Sequence, residues 1–197
     1  MVKVIGLAGG EEFRIGCEGM DRELLAATGT QKARVIIVPT AADAYPVQSA
    51  DHGVRYFTSL GADSRSLMVL TNRDSNDRKI VQQLEDADII YFTGGNPEHL
   101  LDTIRDSALV EKIDQLLDTG TIVVGSSAGA MVMGSWMRKP SNSEVTRGLD
   151  IAKGVIVLPH HENRDLEETT FWINQTVPSG VIVLGIDAKS ACLMTSK

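Results

Sequence analysis

The reading of this chain turns on Thr121-Ile122-Val123-Val124-Gly125-Ser126-Ser127-Ala128-Gly129-Ala130. Four β-branched residues read as a strand. The strand runs straight into Gly-x-Ser-x-Gly and then into residues that suit a helix. That order predicts a tight strand-to-helix turn that lifts the Ser127 hydroxyl out of the sheet. Backbone in such a turn is strained, and Gly125 and Gly129, which lack a Cβ, relieve the crowding. The helix start leaves N–H groups unpaired, so the N–H of Ala128 is a candidate oxyanion donor. Ser127 is therefore the candidate nucleophile, with Ser126 supporting the turn. The competing reading is a glycine-rich strand end with a capping serine.

Working outward, short β-branched runs alternate with stretches of helical periodicity. The strands are read at 2–7, 34–38, 66–70, 88–92, 121–124, 154–158 and 181–186. The helices are read at 18–27, 47–59, 76–84, 97–105, 108–117, 128–135 and 166–175, with Ser75 as an N-cap and Pro97 in a first turn. Several strands are almost wholly apolar, as expected when both faces are covered. This alternation predicts one α/β domain over 1–197: three layers, a mostly parallel sheet, right-handed crossovers and helices on both faces. Sites in such sheets form at the carboxyl ends of the strands. Trp136 to Asp150, with Pro140-Ser141-Asn142-Ser143, reads as a loop.

Composition narrows the function. The 197 residues suffice for one sizeable core, and a net charge of -7 argues against a nucleic-acid partner. No apolar run approaches the ~18–20 residues of a membrane span, so no membrane partner is expected. Met1-Val2-Lys3-Val4-Ile5-Gly6-Leu7 reads as a first strand rather than a signal peptide. Two cysteines, Cys17 and Cys192, fit a reducing compartment, so a cytoplasmic protein is expected. No metal-ligand spacing is visible, and neither a metal nor an organic cofactor is expected.

A second glycine turn, Thr93-Gly94-Gly95-Asn96-Pro97, follows the apolar run Ile89-Ile90-Tyr91-Phe92. Gly94 and Gly95 let backbone N–H groups approach a ligand, and Gly95 is the candidate second oxyanion donor. Asn96 is a candidate for orienting substrate. Alone, the turn is a common strand-to-helix connection.

Taken together, these pieces resemble the peptidase E and cyanophycinase family of serine peptidases, whose fold is like that of the class I glutamine amidotransferases (flavodoxin-like). The resemblance runs through Gly9-Gly10-Glu11, Pro39-Thr40-Ala41, Phe92-Thr93-Gly94-Gly95-Asn96 and Gly125-Ser126-Ser127-Ala128-Gly129-Ala130. It continues through Gly148-Leu149, Gly154-Val155, Pro159-His160 and Gly185-Ile186-Asp187. It implies Ser127 as nucleophile, His160 as base, and an oxyanion hole from the N–H groups of Gly95 and Ala128. His160 just past an apolar strand agrees, since it should reach the same sheet edge as Ser127. His161 is the rival, but adjacent residues at a strand end point in different directions.

The acid that orients the histidine departs from the family. The cyanophycinase branch has a glutamate directly after Gly-Ile-Asp, where this chain has Ala188. The peptidase E branch has an aspartate in the loop after the nucleophile helix, where this chain has Asn142. Glu144 and Asp187 are the leading substitutes, with Asp150 behind them. Asn142 itself would hold the histidine tautomer without charge. Arg164, a helical turn's spacing past His160, is a candidate partner for an acidic substrate, since guanidinium binds carboxylate with two parallel hydrogen bonds. Arg14, Arg138 and Arg147 are further candidates. Many family members continue past Ser190-Ala191 with another strand or hairpin. A chain stopping at Leu193-Met194-Thr195-Ser196-Lys197 is expected to expose a sheet edge or to favour a homodimer.

The expected function is a serine exopeptidase or dipeptidase acting on short peptides, aspartyl ones first, through an acyl-enzyme on Ser127. The alternative from another class is a degenerate member that binds a ligand or partner without turnover; Ala188 and Asn142 favour it. A general esterase of the α/β-hydrolase type is disfavoured by the short spacing from His160 to the C-terminus and by Gly94-Gly95-Asn96.

Overall fold

A computed structural model of the chain describes residues 2–196. Among these, five parallel strands build a first sheet: β1 (Lys3–Ala8), β2 (Arg34–Val38), β3 (Asp63–Ser66), β4 (Ile89–Phe92) and β5 (Ile122–Ser126). A second sheet contains β6 (Gly134–Arg138), β7 (Val145–Arg147), β8 (Ala152–Pro159) and β9 (Ile182–Ile186). The last strand, β10 (Ala191–Ser196), returns to the first sheet antiparallel to β1. The orders are β10-β1-β5-β4-β2-β3 and β7-β6-β8-β9. The helices are α1 (Glu18–Ala27), α2 (Pro46–Ser59), α3 (Asn72–Ser75), α4 (Arg78–Val81), α5 (Pro97–Ile104), α6 (Ala108–Thr119), α7 (Ala128–Met133) and α8 (Leu166–Thr176). None is long and apolar enough to cross a membrane.

The period-2 geometry of the central strands creates the layers. Val35, Ile37, Ile89, Tyr91, Ile122 and Val124 pack on one face with Leu24 of α1 and Phe57 of α2. The alternate residues Ile36, Val38, Ile90, Phe92 and Val123 pack on the other face with Leu101 of α5, Ile113 of α6 and Met131 of α7. Burying both faces explains why these strands read as unbroken apolar runs. The result is the expected three-layer α/β fold.

Five details differ from the sequence reading. The third strand is Asp63–Ser66, not 66–70. It is a polar edge strand; beyond it Leu67 and Val69 are buried, with Leu67 N–H still donating to Ile37 O at 2.9 Å. The helix expected over 76–84 is broken: Asp77 caps α4 through Lys79 N–H, and Gln82–Leu84 tighten to a 3-10 turn. Ser75 is no N-cap; it is buried, and its hydroxyl donates to Thr103 O at 2.8 Å. The stretch from Trp136 is not a loop but the β6–β7 hairpin, with Trp136 paired to Arg147 and the guanidinium 3.9 Å over the indole. Finally, the C-terminal residues are not short of a strand: β10 pairs antiparallel with β1 and forms that edge of the first sheet.

Asp21 on α1 is buried and accepts a hydrogen bond from the Tyr56 hydroxyl at 2.7 Å. Burial pushes its carboxyl up to about 6, with the Tyr56 bond opposing in part. The folded state therefore binds this proton more tightly than the unfolded chain, where aspartate titrates near ~3.9. Its contribution is present at low pH and lost as pH rises from about 4 through about 6, amounting to at most about 3 kcal/mol. Asp21→Asn removes that dependence. Denaturant midpoints from pH 4 to 8 should show the variant gaining on wild type up to about pH 6.5 and levelling above it. A gap that stays constant with pH would contradict the assignment.

Candidate active site

Ser127 stands between β5 and α7 with φ 48° and ψ -107°. A non-glycine residue there costs about 1–3 kcal/mol and persists only where its surroundings hold it. Here its N–H donates to Ala8 O at 2.9 Å. The flanking glycines let α7 fold back on β5. A Cβ on Gly125 would lie 2.3 Å from the Gly129 carbonyl carbon, and one on Gly129 would lie 2.5 Å from Phe92 O.

His160 ends β8 in the left-handed region, φ 50°, and its N–H donates to Gly9 O at 2.9 Å. That bond ties the second sheet to the end of β1. The imidazole Nε2 then lies 3.1 Å from Ser127 Oγ. Gly10 makes the space: a Cβ there would lie 2.2 Å from His160 Cε1. His161 turns away and packs over Gly185 of β9, whose Cβ would sit 2.6 Å from the ring.

Two N–H groups near the serine are unpaired, one on the next residue and one on Gly95, which lines the same cleft. Neither Gly95 N–H nor Ala128 N–H meets a protein acceptor among the described residues. Gly95 has φ 138°, and its close approach to Ala41 O leaves no room for a Cβ. The cleft above the serine measures about 380 Å3 and is bounded by the Glu11–Arg14 loop, His52, Gly94, Gly95 and His160. No group of three or more His, Cys, Asp or Glu among the described residues is arranged to hold a metal ion.

The model of peptidase family S51 matches residues 5–196. The chain belongs to peptidase family S51. This S51 chain is 32% identical over 175 residues to a cyanophycinase of Geminocystis herdmanii (strain PCC 6308), covering 82% of this chain and 63% of that protein. It is 28% identical over 168 residues to a cyanophycinase of Trichormus variabilis (strain ATCC 29413 / PCC 7937), covering 80% of this chain and 56% of that one. It thus spans less than two thirds of the length of these relatives. A solved peptidase from an acI-B1 Actinobacterium superposes with TM-score 0.85 at 27% identity, covering 98% of this chain and 84% of that one. A candidate peptidase E protein from Listeria monocytogenes EGD-e has the same fold, with TM-score 0.73 at 20% identity over 100% and 99% of the two chains.

Against that family pattern, the carboxylates that the sequence suggested for the acid are not hydrogen-bonded to His160. Among the described residues no carboxylate is hydrogen-bonded to His160. Glu144 is exposed in the β6–β7 turn, where its N–H donates to Asn142 Oδ1, so both residues serve the turn. Asp150 accepts from the Ser135 hydroxyl and shares a hollow with Lys3, at the end of β1 remote from Ser127. The Asp187 backbone abuts Gly9, but its side chain is exposed and unbonded, while its carbonyl accepts from Ser190 N–H. Chain order put these residues near the site; the turns that aim them away are not visible in it.

The sequence reading missed Glu162. Its Oε2 accepts from Ala188 N–H at 2.9 Å, at the residue where the cyanophycinase branch has glutamate. That bond first, then the nearby His160 and His161, holds its carboxyl below the usual range. A carboxylate two residues past the base was the available signal.

Gly94 and Asn96 are also reassigned. Gly94 N–H is taken by Glu12 Oε1 at 2.7 Å, so it is no oxyanion donor. Asn96 caps α5 through the N–H groups of Glu98 and His99, and its amide donates to Asp43. Arg164 is half-buried, with Nε donating to Pro159 O at 3.3 Å. Burial, then the charge of neighbouring Arg138, holds its guanidinium below its ordinary value. Arg138 lies 4.8 Å over the Trp172 ring, and neither arginine pairs with a carboxylate among the described residues.

Gly10→Ala tests the packing of the base. The new methyl must displace the imidazole, so phosphonylation of Ser127 by a fluorophosphonate should slow by about 100-fold or more, with the far-ultraviolet dichroism spectrum retained. Labelling at the wild-type rate would show that His160 does not depend on this contact.

Proposed function

We propose that this chain is a serine peptidase that hydrolyses short peptides with an acidic residue on the acyl side, aspartyl dipeptides first. The observation that carries the reading is the 3.1 Å approach of His160 Nε2 to Ser127 Oγ beside two unpaired backbone N–H groups. Ser127 Oγ attacks the scissile carbonyl while His160 Nε2 takes its proton. The oxyanion accepts hydrogen bonds from Gly95 and Ala128 N–H. The C–N bond breaks as His160 returns the proton to the departing amine. Water, deprotonated by His160, then attacks the ester carbonyl and frees Ser127. Glu162 stabilises the imidazolium through charge rather than a direct hydrogen bond. Arg138 and Arg164, two cations without a protein counter-charge, receive the acidic side chain.

One observation favours a second reading, a ligand-binding member without turnover: His160 has no carboxylate bonded to it. Hydrolysis of aspartyl and neutral dipeptides by wild type and variants separates the two. Aspartyl-selective cleavage should fall by about 1,000-fold or more in Ser127→Ala. Arg164→Gln should raise KM for aspartyl peptides about tenfold or more and spare neutral ones. Glu162→Gln should lower kcat about tenfold, while Glu144→Gln stays within about twofold. No cleavage by folded wild type would favour the second reading.

A further inference from the structure

Among the described residues, Glu12 is the one carboxylate hydrogen-bonded to both glycine turns. Its Oε1 accepts from Gly94 N–H at 2.7 Å and its Oε2 from the Ser126 hydroxyl at 2.9 Å. A methyl group built on Gly94 would lie 2.9 Å from Glu12 Oε1 and 3.3 Å from Ser127 Cβ. The carboxylate and the serine therefore flank the same point beside Gly94, and both line the cleft. The loop is built to hold it there. Gly10, Glu11 and Phe13 all have positive φ, 120°, 58° and 62°. Phe13 is buried, with its ring 5.2 Å from Tyr91 and 5.9 Å from Phe57. Such a run of unfavourable backbone marks a functional loop rather than a free turn.

The charge of Glu12 is uncompensated. Neighbouring Glu11 pairs with Arg14 at 3.1 Å, but Glu12 pairs with no cation among the described residues. A carboxylate without a cation partner beside the point where an oxyanion forms opposes the reaction, because like charges repel. A cation between the two removes that opposition. The α-nitrogen of an acyl group lies two bonds from the carbon that Ser127 attacks, which puts it in the cleft that Glu12 lines.

We propose that Glu12 is a specificity-determining residue that binds the free α-ammonium group of the substrate's N-terminal residue. The inference rests on Ser127 being the nucleophile, and it makes the enzyme selective for peptides cleaved after an unblocked first residue. Glu12 would then read the amine while the arginine pair reads the side chain.

Binding to the full-length Ser127→Ala protein tests this apart from turnover. Calorimetry would compare aspartyl-leucine with its N-acetyl form at pH 7. The free amine should bind at least about tenfold tighter, with the advantage shrinking above about pH 9 as an α-amine of pKa ~8 loses its charge. Glu12→Gln keeps an acceptor oxygen and the side-chain shape. In that background the two peptides should bind within about threefold of each other, with N-acetyl affinity and melting temperature retained. Equal binding of both peptides, equal weakening of both by Glu12→Gln, or binding of neither at millimolar concentration would overturn the proposal. Wild-type hydrolysis keeps the two claims separate. Ser127-dependent cleavage of both peptides at equal rates removes the ammonium subsite and leaves the nucleophile. Amine-selective binding without Ser127-dependent cleavage removes the peptidase reading and leaves the subsite.

Discussion

The site depends on a close crossing of main chain over main chain. Helix α7 folds back onto the end of β5 so tightly that Gly125 meets the backbone of Gly129, and Gly129 meets Phe92 O on β4. No side chain fits at either position. The crossing leaves Ser127 in a strained conformation, braced by its bond to Ala8 O. Everything else converges on that point: β1 supplies Ala8, Gly9 and Gly10, β4 leads to Gly95, and β8 delivers His160. The strain is concentrated where the hydroxyl must project, and the apolar sheet behind it supplies the rigidity.

Those parts were legible where a single local rule governs them. Ile36, Ile37, Ile89 and Ile90 sit in strands buried on both faces, so their runs read directly as parallel sheet. Ser127 and His160 each end such a run, and parallel strands bring their ends to one edge. The polar edge strand Asp63-Ser64-Arg65-Ser66 was not legible, because an edge strand in contact with water needs no apolar pattern. The β6–β7 hairpin escaped for a related reason: its second strand has three residues, too few for a period to show.

The carboxylates show the limit of reading along the chain. Glu144, Asp150 and Asp187 were placed by proximity in sequence, and the turns around them aim their side chains elsewhere. Glu12 does the opposite. Its two partners lie 82 and 114 residues away, and only the folded order β1-β5-β4 brings all three together. Glu162 likewise acts on Ala188, which reaches it only through β9. The cleft itself is lined by Glu11, Glu12 and Arg14 from the loop after β1, while Arg138 on β6 and Arg164 after β8 have no carboxylate partner among the described residues.

The central claim is that Ser127 forms a covalent acyl intermediate. The most direct measurement is intact-protein mass after rapid mixing with an activated aspartyl ester and acid quench, followed by peptide mapping. The expected result is a mass increase of one aspartyl group, mapped to Ser127 and absent from Ser127→Ala. Turnover of the ester with no adduct on Ser127, persisting in Ser127→Ala, would contradict the account.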